Sequence, residues 1–298
     1  MGKGIGVLVA DRITAAVIVD HKVVGPIRSF PEDPAISEAL VGMPAEVIAA
    51  RVVEEIKQLP DAVGGVEYLG VGFPGIIRHN VIEDSPNLQQ LKGSWMGQLL
   101  TDALGGHFGS IPVACFNDAD IVAAGLAARR DHLDRLIRVW TLGNGIGYGR
   151  YPHREGVWEA GHSVVTLDPK ERYCGCGGTG HLEGIMGQRA MRLRFMDMEP
   201  EEIFERAAEG EARCVDFVKL WHRALAAGTA TSIHLDGPGK FFFVGYNARF
   251  LNLRTLGECL TEMVKLTPLQ GYSLESVTGG EEVAMIGAAV NASRWHGQ

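Results

Sequence analysis

Between Glu159 and Glu183 the chain reads Glu-Ala-Gly-His, an eleven-residue gap, then Cys-Gly-Cys-Gly-Gly-Thr-Gly-His-Leu-Glu. Two imidazoles and two thiols, His162, Cys174, Cys176 and His181, lie close together with glycines between them. Zn²⁺ suits this set, because it takes four N/S ligands tetrahedrally. Glycines let the backbone turn tightly enough to wrap a single ion. The plain alternative, free thiols in a glycine turn beside solvated histidines, does not say why all four gather where the chain is least apolar. With every position filled by protein, such a zinc is structural and leaves no place for a reactive water. It stabilises a loop with little core of its own. The carboxylates at the two ends of the loop, Glu159 and Glu183, are what the loop is expected to hold in place.

Those residues need a scaffold. With 298 residues the chain is long for one core, so two lobes are expected. It is 46% hydrophobic and 21% charged, with 39 glycines, a globular composition. A net charge of −8 and a pI near 5.7 argue against a nucleic-acid surface, which would need a basic stripe. No apolar run approaches a membrane span, so no membrane partner is expected. The first ten residues read as a strand rather than a signal peptide. Five cysteines is an odd number; Cys115, Cys214 and Cys259 are scattered like buried small hydrophobes. A reducing, cytoplasmic compartment follows as the expectation.

Residues 3–10, 13–20 and Val23–Gly25 predict a strand meander. Helical spacing covers 44–59, ending before Pro60. Strands are expected at 68–75, 111–116, 136–142 and 240–245, with a further strand opening at Tyr148. Helices are expected at 95–104, 119–130, 201–208, 212–227, 248–265 and 283–295. Two α/β lobes result.

Ligands of open α/β sheets bind past the carboxyl ends of strands. Asn117-Asp118 sits at such a junction, where an Asp is either a helix cap or a general base. Gly143-Asn-Gly-Ile-Gly147 sits between two strands, as either a hairpin turn or a phosphate cradle.

Taken together the segments resemble the ROK family (repressor, open reading frame, kinase) of sugar kinases. The matching pieces are Gly72-Phe-Pro-Gly75, Ser85-Pro-Asn-Leu88, Asn117-Asp-Ala119, Leu142-Gly-Asn-Gly-Ile-Gly147, Glu159-Ala-Gly-His162 and Cys174 to Glu183. The last is the most specific, although His181 stands where the family usually has a third Cys. The resemblance implies an α/β, two-lobed actin-like ATPase (ribonuclease H-like) fold: an N-terminal lobe over 1–118, a C-terminal lobe with the zinc loop over 119–282, and a helix over 283–298 returning to the first lobe. It implies a glucokinase-like transfer of phosphate from ATP, with Mg²⁺, to a hexose or amino sugar, and a homodimer. Asp118 would be the catalytic base. Asn87, Asn117, Glu159, His162 and Glu183 would bind the sugar. Gly143, Asn144 and Gly145 would bind phosphate.

The chain departs from the family at its first phosphate loop. An Asp-x-Gly-Gly-Thr run is expected where Leu8-Val-Ala-Asp-Arg12 stands. Ala10, Asp11 and Arg12 carry side chains into space that glycines would leave open to phosphate. Asp11 would repel a triphosphate, and Arg12 would partly compensate as a phosphate ligand. A glycine run expected near 244–247 is replaced by Val-Gly-Tyr-Asn. The alternative function is therefore a sugar-binding pseudokinase that acts as a sensor or partner protein. Repressors of the family carry a helix-turn-helix domain ahead of the first strand, so DNA binding is not expected here.

Overall fold

The computed structural model describes residues 2–33, 35, 36, 38–62, 64–156, 159–265, 271–278 and 280–295. The chain divides into two compact units. Unit 1 is Met1–Ile137, Gly149–Val157 and Gly279–Gln298; unit 2 is Arg138–Tyr148 and Trp158–Thr278. Residues 119–137 and 149–157 thus group with unit 1.

Unit 1 opens with β1 (Lys3–Val9), β2 (Ile13–Val19) and β3 (Lys22–Phe30), which pair antiparallel in sequence order. β1 and β2 are largely buried on both faces and carry the near-continuous apolar runs such strands require. β3 is mostly exposed and nine residues long; its Lys, Arg and Ser positions concealed most of it from a reading by hydrophobicity. Helix α1 (Ala45–Lys57) lays Ile48, Val52, Val53 and Ile56 into the core. β4 (Val66–Phe73) pairs parallel with β1. A small antiparallel pair follows, β5 (Ile76–Arg78) and β6 (Val81–Asp84), then α2 (Met96–Leu104). β7 (Val113–Asn117) pairs parallel with β4 and leads directly into α3 (Asp118–Arg129). The sheet order is β3-β2-β1-β4-β7. Ile5, Val7, Val17, Leu69, Val71 and Phe73, all fully buried, are shared with α1 and α2 in one core.

Unit 2 is built on β8 (Ile137–Leu142) and β9 (Ile146–Tyr151), the latter running on into unit 1. The metal loop follows, then α4 (Glu183–Met186), α5 (Gln188–Arg194), α6 (Pro200–Ala208) and α7 (Ala212–Asp236). Pro200 is at the first helical position of α6, and the Glu202 carboxylate accepts the Glu199 N–H at 3.0 Å. α7 continues well beyond Ala227. Gly228 interrupts the sequence pattern but not the helix, because its bare Cα is what fits against Leu182 and the Trp140 ring. β10 (Lys240–Val244), α8 (Leu253–Met263) and β11 (Ser273–Ser276) complete a sheet of order β11-β10-β8-β9. Trp140, Trp221, Leu225, Phe241 and Phe243 are fully buried in its core.

The last helix, α9 (Glu281–Ser293), belongs to unit 1 and packs on α3. Small residues set that approach: a Cβ on Gly287 would lie 1.6 Å from the Ile121 carbonyl oxygen, and one on Gly125 1.9 Å from that of Val283. Of the expected segment 283–298, residues 296–298 lie outside the described residues. Among the described residues no helix is long and apolar enough to cross a membrane.

Candidate active site and metal loop

Residues 163–165 and 180–182 run antiparallel. Val165 N–H donates to Gly180 O at 2.8 Å and Leu182 N–H to Ser163 O at 3.0 Å. This short ladder fixes His162 beside His181, their rings 5.4 Å apart. Gly180 makes the tight turn possible at φ +74°, where a Cβ would also strike Thr166 O. The four expected metal ligands come together: the donor atoms of His162, Cys174, Cys176 and His181 all lie within 4.8 Å of one another. Cys174 Sγ is 3.3 Å from His162 Nδ1 and 3.4 Å from Cys176 Sγ, and Cys176 Sγ is 3.2 Å from His181 Nδ1. Ligands at about 2.0–2.3 Å from a tetrahedral ion stand roughly 3.3–3.8 Å from one another, so the donor set fits Zn²⁺. The Cys174 thiol is pushed up to about 12, first by burial, with Glu183 and Cys176 adding in the same direction. A bound dication reverses that penalty by stabilising the thiolate. The donor set and its spacing fit a closed structural zinc.

His162 divides its two nitrogens. Nδ1 faces the cysteines, and Nε2 lies 3.7 Å from Glu159 Oε2. One ring therefore couples the metal ligands to one of the carboxylates singled out above. The other, Glu183, is the first residue of α4; its Oε2 accepts the Ile146 N–H at 3.0 Å, and its Oε1 is 3.6 Å from Cys174 Sγ. Glu183 thus joins the metal loop to the turn at 143–145. That turn links two neighbouring strands, β8 and β9, as the hairpin reading requires, and Gly143 N–H donates to Gly145 O at 3.1 Å. A Cβ on Gly145 would lie 2.6 Å from Glu183 Oε2. Gly143 O is held by Gln188 N–H and Asn247 Nδ2, each at 3.1 Å, and Gln188 Nε2 donates to Asn247 Oδ1 at 3.0 Å.

Beside the turn is a cavity of about 370 Å³ lined by Gly143, Asn144, Gln188, Arg192, Glu201 and Tyr246. Three of these, Gln188, Arg192 and Glu201, were not singled out from the sequence. Tyr246 and Asn247 stand where glycines were expected. Asn247 is fully buried and braces the turn, while the Tyr246 hydroxyl donates to Glu201 at 3.0 Å. Arg249 pairs with Glu201 and stacks over Tyr246 at 3.7 Å.

Within unit 1, hydrogen bonds gather the ends of β4, β6 and β7. Ser85 Oγ donates to Pro74 O at 2.8 Å, and Asn117 Nδ2 to Gly75 O at 2.7 Å. Asn87 is exposed in the bend after β6. Asn117 is the N-cap of α3, its Oδ1 accepting the N–H of Ala119 at 2.8 Å and of Asp120 at 3.4 Å. Asp118, half-buried, is the first residue of the helix, and its Oδ1 also lies 2.9 Å from Ala119 N. Arg12 is engaged: its Nε and Nη2 donate to the two oxygens of Glu281, each at 2.6 Å. The phosphate ligand expected in the first loop is therefore clasped by a carboxylate at the start of α9.

The ROK family profile matches residues 41–294. A glucokinase from Pyrobaculum calidifontis is 28% identical over 258 residues, covering 80% of this chain and 84% of that protein. The crystal structure of a ROK hexokinase from Thermus thermophilus superposes with a TM-score of 0.77 at 24% identity, covering 98% of each chain. That of a Streptomyces griseus ROK glucokinase in complex with glucose and AMPPNP superposes with a TM-score of 0.70 at 20% identity, covering 99% and 100%. These neighbours have the actin-like ATPase, ribonuclease H-like fold, which the mixed α/β units share. With a profile match across most of its length, the chain belongs to the ROK family.

Proposed function

We propose that this protein is a sugar kinase, glucokinase-like, transferring the γ-phosphoryl group of ATP to a hydroxyl of a hexose or amino sugar. The observation that carries the reading is the place of Asp118, the first residue of α3 where that helix follows directly on a parallel strand. Asn117 supplies the N-cap, and the Asp118 carboxylate beside it accepts the Ala119 N–H at 2.9 Å through Oδ1; ligands of such sheets bind past the carboxyl ends of strands, where this carboxylate stands. In this reading Asp118 takes the proton from the sugar hydroxyl as its oxygen attacks the γ-phosphorus, and ADP leaves. Asn87, Asn117, Glu159, His162 and Glu183 are the proposed sugar ligands. Amides and carboxylates read paired hydroxyls, and a site polar group left unpaired costs about 1–3 kcal/mol. The turn at Gly143, Asn144 and Gly145 is the proposed phosphate ligand, joined by Arg12 if it leaves Glu281. Mg²⁺ bound with ATP would neutralise charge developing on the phosphates. His162, Cys174, Cys176 and His181 would hold the structural zinc, which orients the His162 ring towards Glu159. The P. calidifontis glucokinase supports glucose as the first sugar to try.

One observation favours a second reading, a sugar-binding pseudokinase: the Arg12–Glu281 pair closes a loop that already lacks the family's glycines. Calorimetry with ATP–Mg²⁺ and a panel of hexoses and amino sugars separates the two. Nucleotide binding strengthened by one sugar supports the kinase. Sugar binding without nucleotide or polyphosphate binding supports the second reading. Asp118→Asn is expected to remove phosphoryl transfer, about 100-fold or more for loss of a general base. Sugar affinity should stay within about tenfold, roughly 1.4 kcal/mol. Turnover equal to that of the unaltered chain would take Asp118 out of its role.

A further inference from the structure

His153 has no place in the roles given so far. It lies on the segment that follows β9, within unit 1, about three-quarters buried. Its ring packs edge-on against Phe116, with centroids 5.1 Å apart. Its Nδ1 is 3.4 Å from Asp120 Oδ2, and its Nε2 is 3.7 Å from Glu155 Oε2. Phe116 is the residue before Asn117 on β7, and Asp120 sits in the first turn of α3. A single imidazole therefore touches both sides of the Asn117-Asp118 junction.

Its partners are themselves tied down. Asp120 is 5% exposed, and its Oδ1 accepts the Arg150 N–H from β9 at 2.8 Å. A carboxylate so buried is costly unless a cation or several donors compensate it. Glu155 Oε1 accepts the His79 N–H at 2.9 Å, and His79 Nδ1 is 3.9 Å away. The segment after β9 is thus pinned to α3 on one side and to the turn between β5 and β6 on the other.

We propose that His153 is a positioning residue for Asp118, clamping the stretch from Phe116 to Asp120 so that the carboxylate between them is held in one orientation. This rests on the reading of Asp118 as the base. The groups that face His153 are Asp120 from α3, Glu155 from its own segment and the uncharged Phe116 ring from β7. Burial pulls the imidazole down, but the negative charges of Asp120 and Glu155 beside it outweigh that, leaving the group above its ordinary value. With a raised value, the proton is present at lower pH and both carboxylates are held. It is lost as pH rises through the folded value, and the neutral ring then keeps only one N–H for two acceptors. The clamp loosens on the alkaline side, opposite to the acid limb that protonation of Asp118 would produce.

The test is the pH profile of kcat and KM for glucose and for ATP–Mg²⁺ in His153→Gln, which is neutral at every pH. The expected result is a kcat lowered about tenfold, because small displacements of a reacting group cost one to two decades. Both KM values should stay within about twofold, and the alkaline limb should vanish. An alkaline limb that persists in His153→Gln overturns the proposal, as does a kcat equal to that of the unaltered chain. Asp120→Asn serves if the first variant does not fold. It removes the charge that raises His153, so the limb should move to lower pH, and an unmoved limb overturns the proposal. If the unaltered chain phosphorylates no sugar with ATP or polyphosphate, the kinase reading fails separately. Glucose affinity over the same pH range then decides: alkaline weakening absent from His153→Gln supports the clamp, and identical profiles overturn it.

Discussion

On the proposed role of Arg12 as a phosphate ligand, its pair with Glu281 would set a measurable cost on use of the phosphoryl donor. If Arg12 serves a phosphate, it must first leave Glu281. The pair is bidentate at 2.6 Å, a favourable geometry, and Arg12 is held above its ordinary value chiefly by that hydrogen bond. The side chains are 24% and 37% exposed, so solvent screening limits the pair to about 1 kcal/mol. Releasing Arg12 should then weaken donor binding about fivefold, since 1.4 kcal/mol is a factor of ten. Glu281→Gln keeps the shape of the side chain and removes its charge. The expected outcome is a KM for ATP–Mg²⁺ lowered about fivefold, with the KM for glucose unchanged. Arg12→Ala should raise the KM for the donor, and the double variant should match Arg12→Ala, because Glu281 then has nothing to withhold. The assay is initial-rate kinetics at low and moderate salt; the Glu281→Gln effect should shrink as salt rises. A donor KM that is unchanged or higher in Glu281→Gln would refute the reasoning and leave Arg12–Glu281 as a structural tie between the β1–β2 turn and α9.

Metal analysis is expected to find one zinc per chain, and Cys176→Ala to remove it. Outer partners of metal ligands alone are worth about 10–100-fold in affinity, so losing a ligand should exceed about 100-fold, as measured by chelator competition. The same change should weaken glucose binding through His162 and Glu159. Unchanged calorimetric binding in metal-free protein would break the link between loop and sugar. Gly287→Ala should destabilise unit 1 by about 2 kcal/mol in chemical denaturation, because overpacking against a backbone carbonyl outweighs the gain in helix propensity. Gly257→Ala in α8, where a Cβ meets nothing within 4 Å, should instead stabilise by about 0.5–1 kcal/mol.

What was legible in the sequence was whatever is written in residue type at short spacing. The metal loop is such a case: two thiols, two imidazoles and glycines at fixed intervals leave few other arrangements, and the donor atoms do converge. The buried strands β1, β2, β4 and β7 were legible because burial on both faces demands uninterrupted apolar runs. The β2–β3 hairpin was expected, with its third strand cut short at Gly25, whereas the β5–β6 hairpin was not expected. The turns between β2 and β3 and between β5 and β6 place Asp20-His21 and His79-Asn80 at positive φ, from 47° to 62°. That is the backbone an Asn-Gly pair would signal, carried by residues that signal it weakly. The small β5–β6 pair was missed for this reason.

The least legible features depend on who meets whom across long intervals. Nothing in Tyr-Pro-His-Arg-Glu shows that His153 reaches Asp120, thirty-three residues earlier. Nothing in Ala-Asp-Arg shows that Arg12 meets a carboxylate 269 residues later. The substitution of Tyr246-Asn247 for glycines reads, along the chain, as loss of a ligand site. In space, Asn247 is a brace that holds Gly143 O and Gln188, and Tyr246 forms a wall of the adjoining cavity. Side chains that enter a site can block it or rebuild it, and the hydrogen bonds separate the two cases. Asn247 rebuilds: it is fully buried, and both ends of its amide serve the turn. On the proposed role, Arg12 would be withheld rather than absent, because a guanidinium paired at the surface is released at a cost of about 1 kcal/mol. The proposed donor side would therefore be compatible with catalysis at reduced donor affinity, and the donor KM in Glu281→Gln would measure how much of any such reduction the clasp imposes.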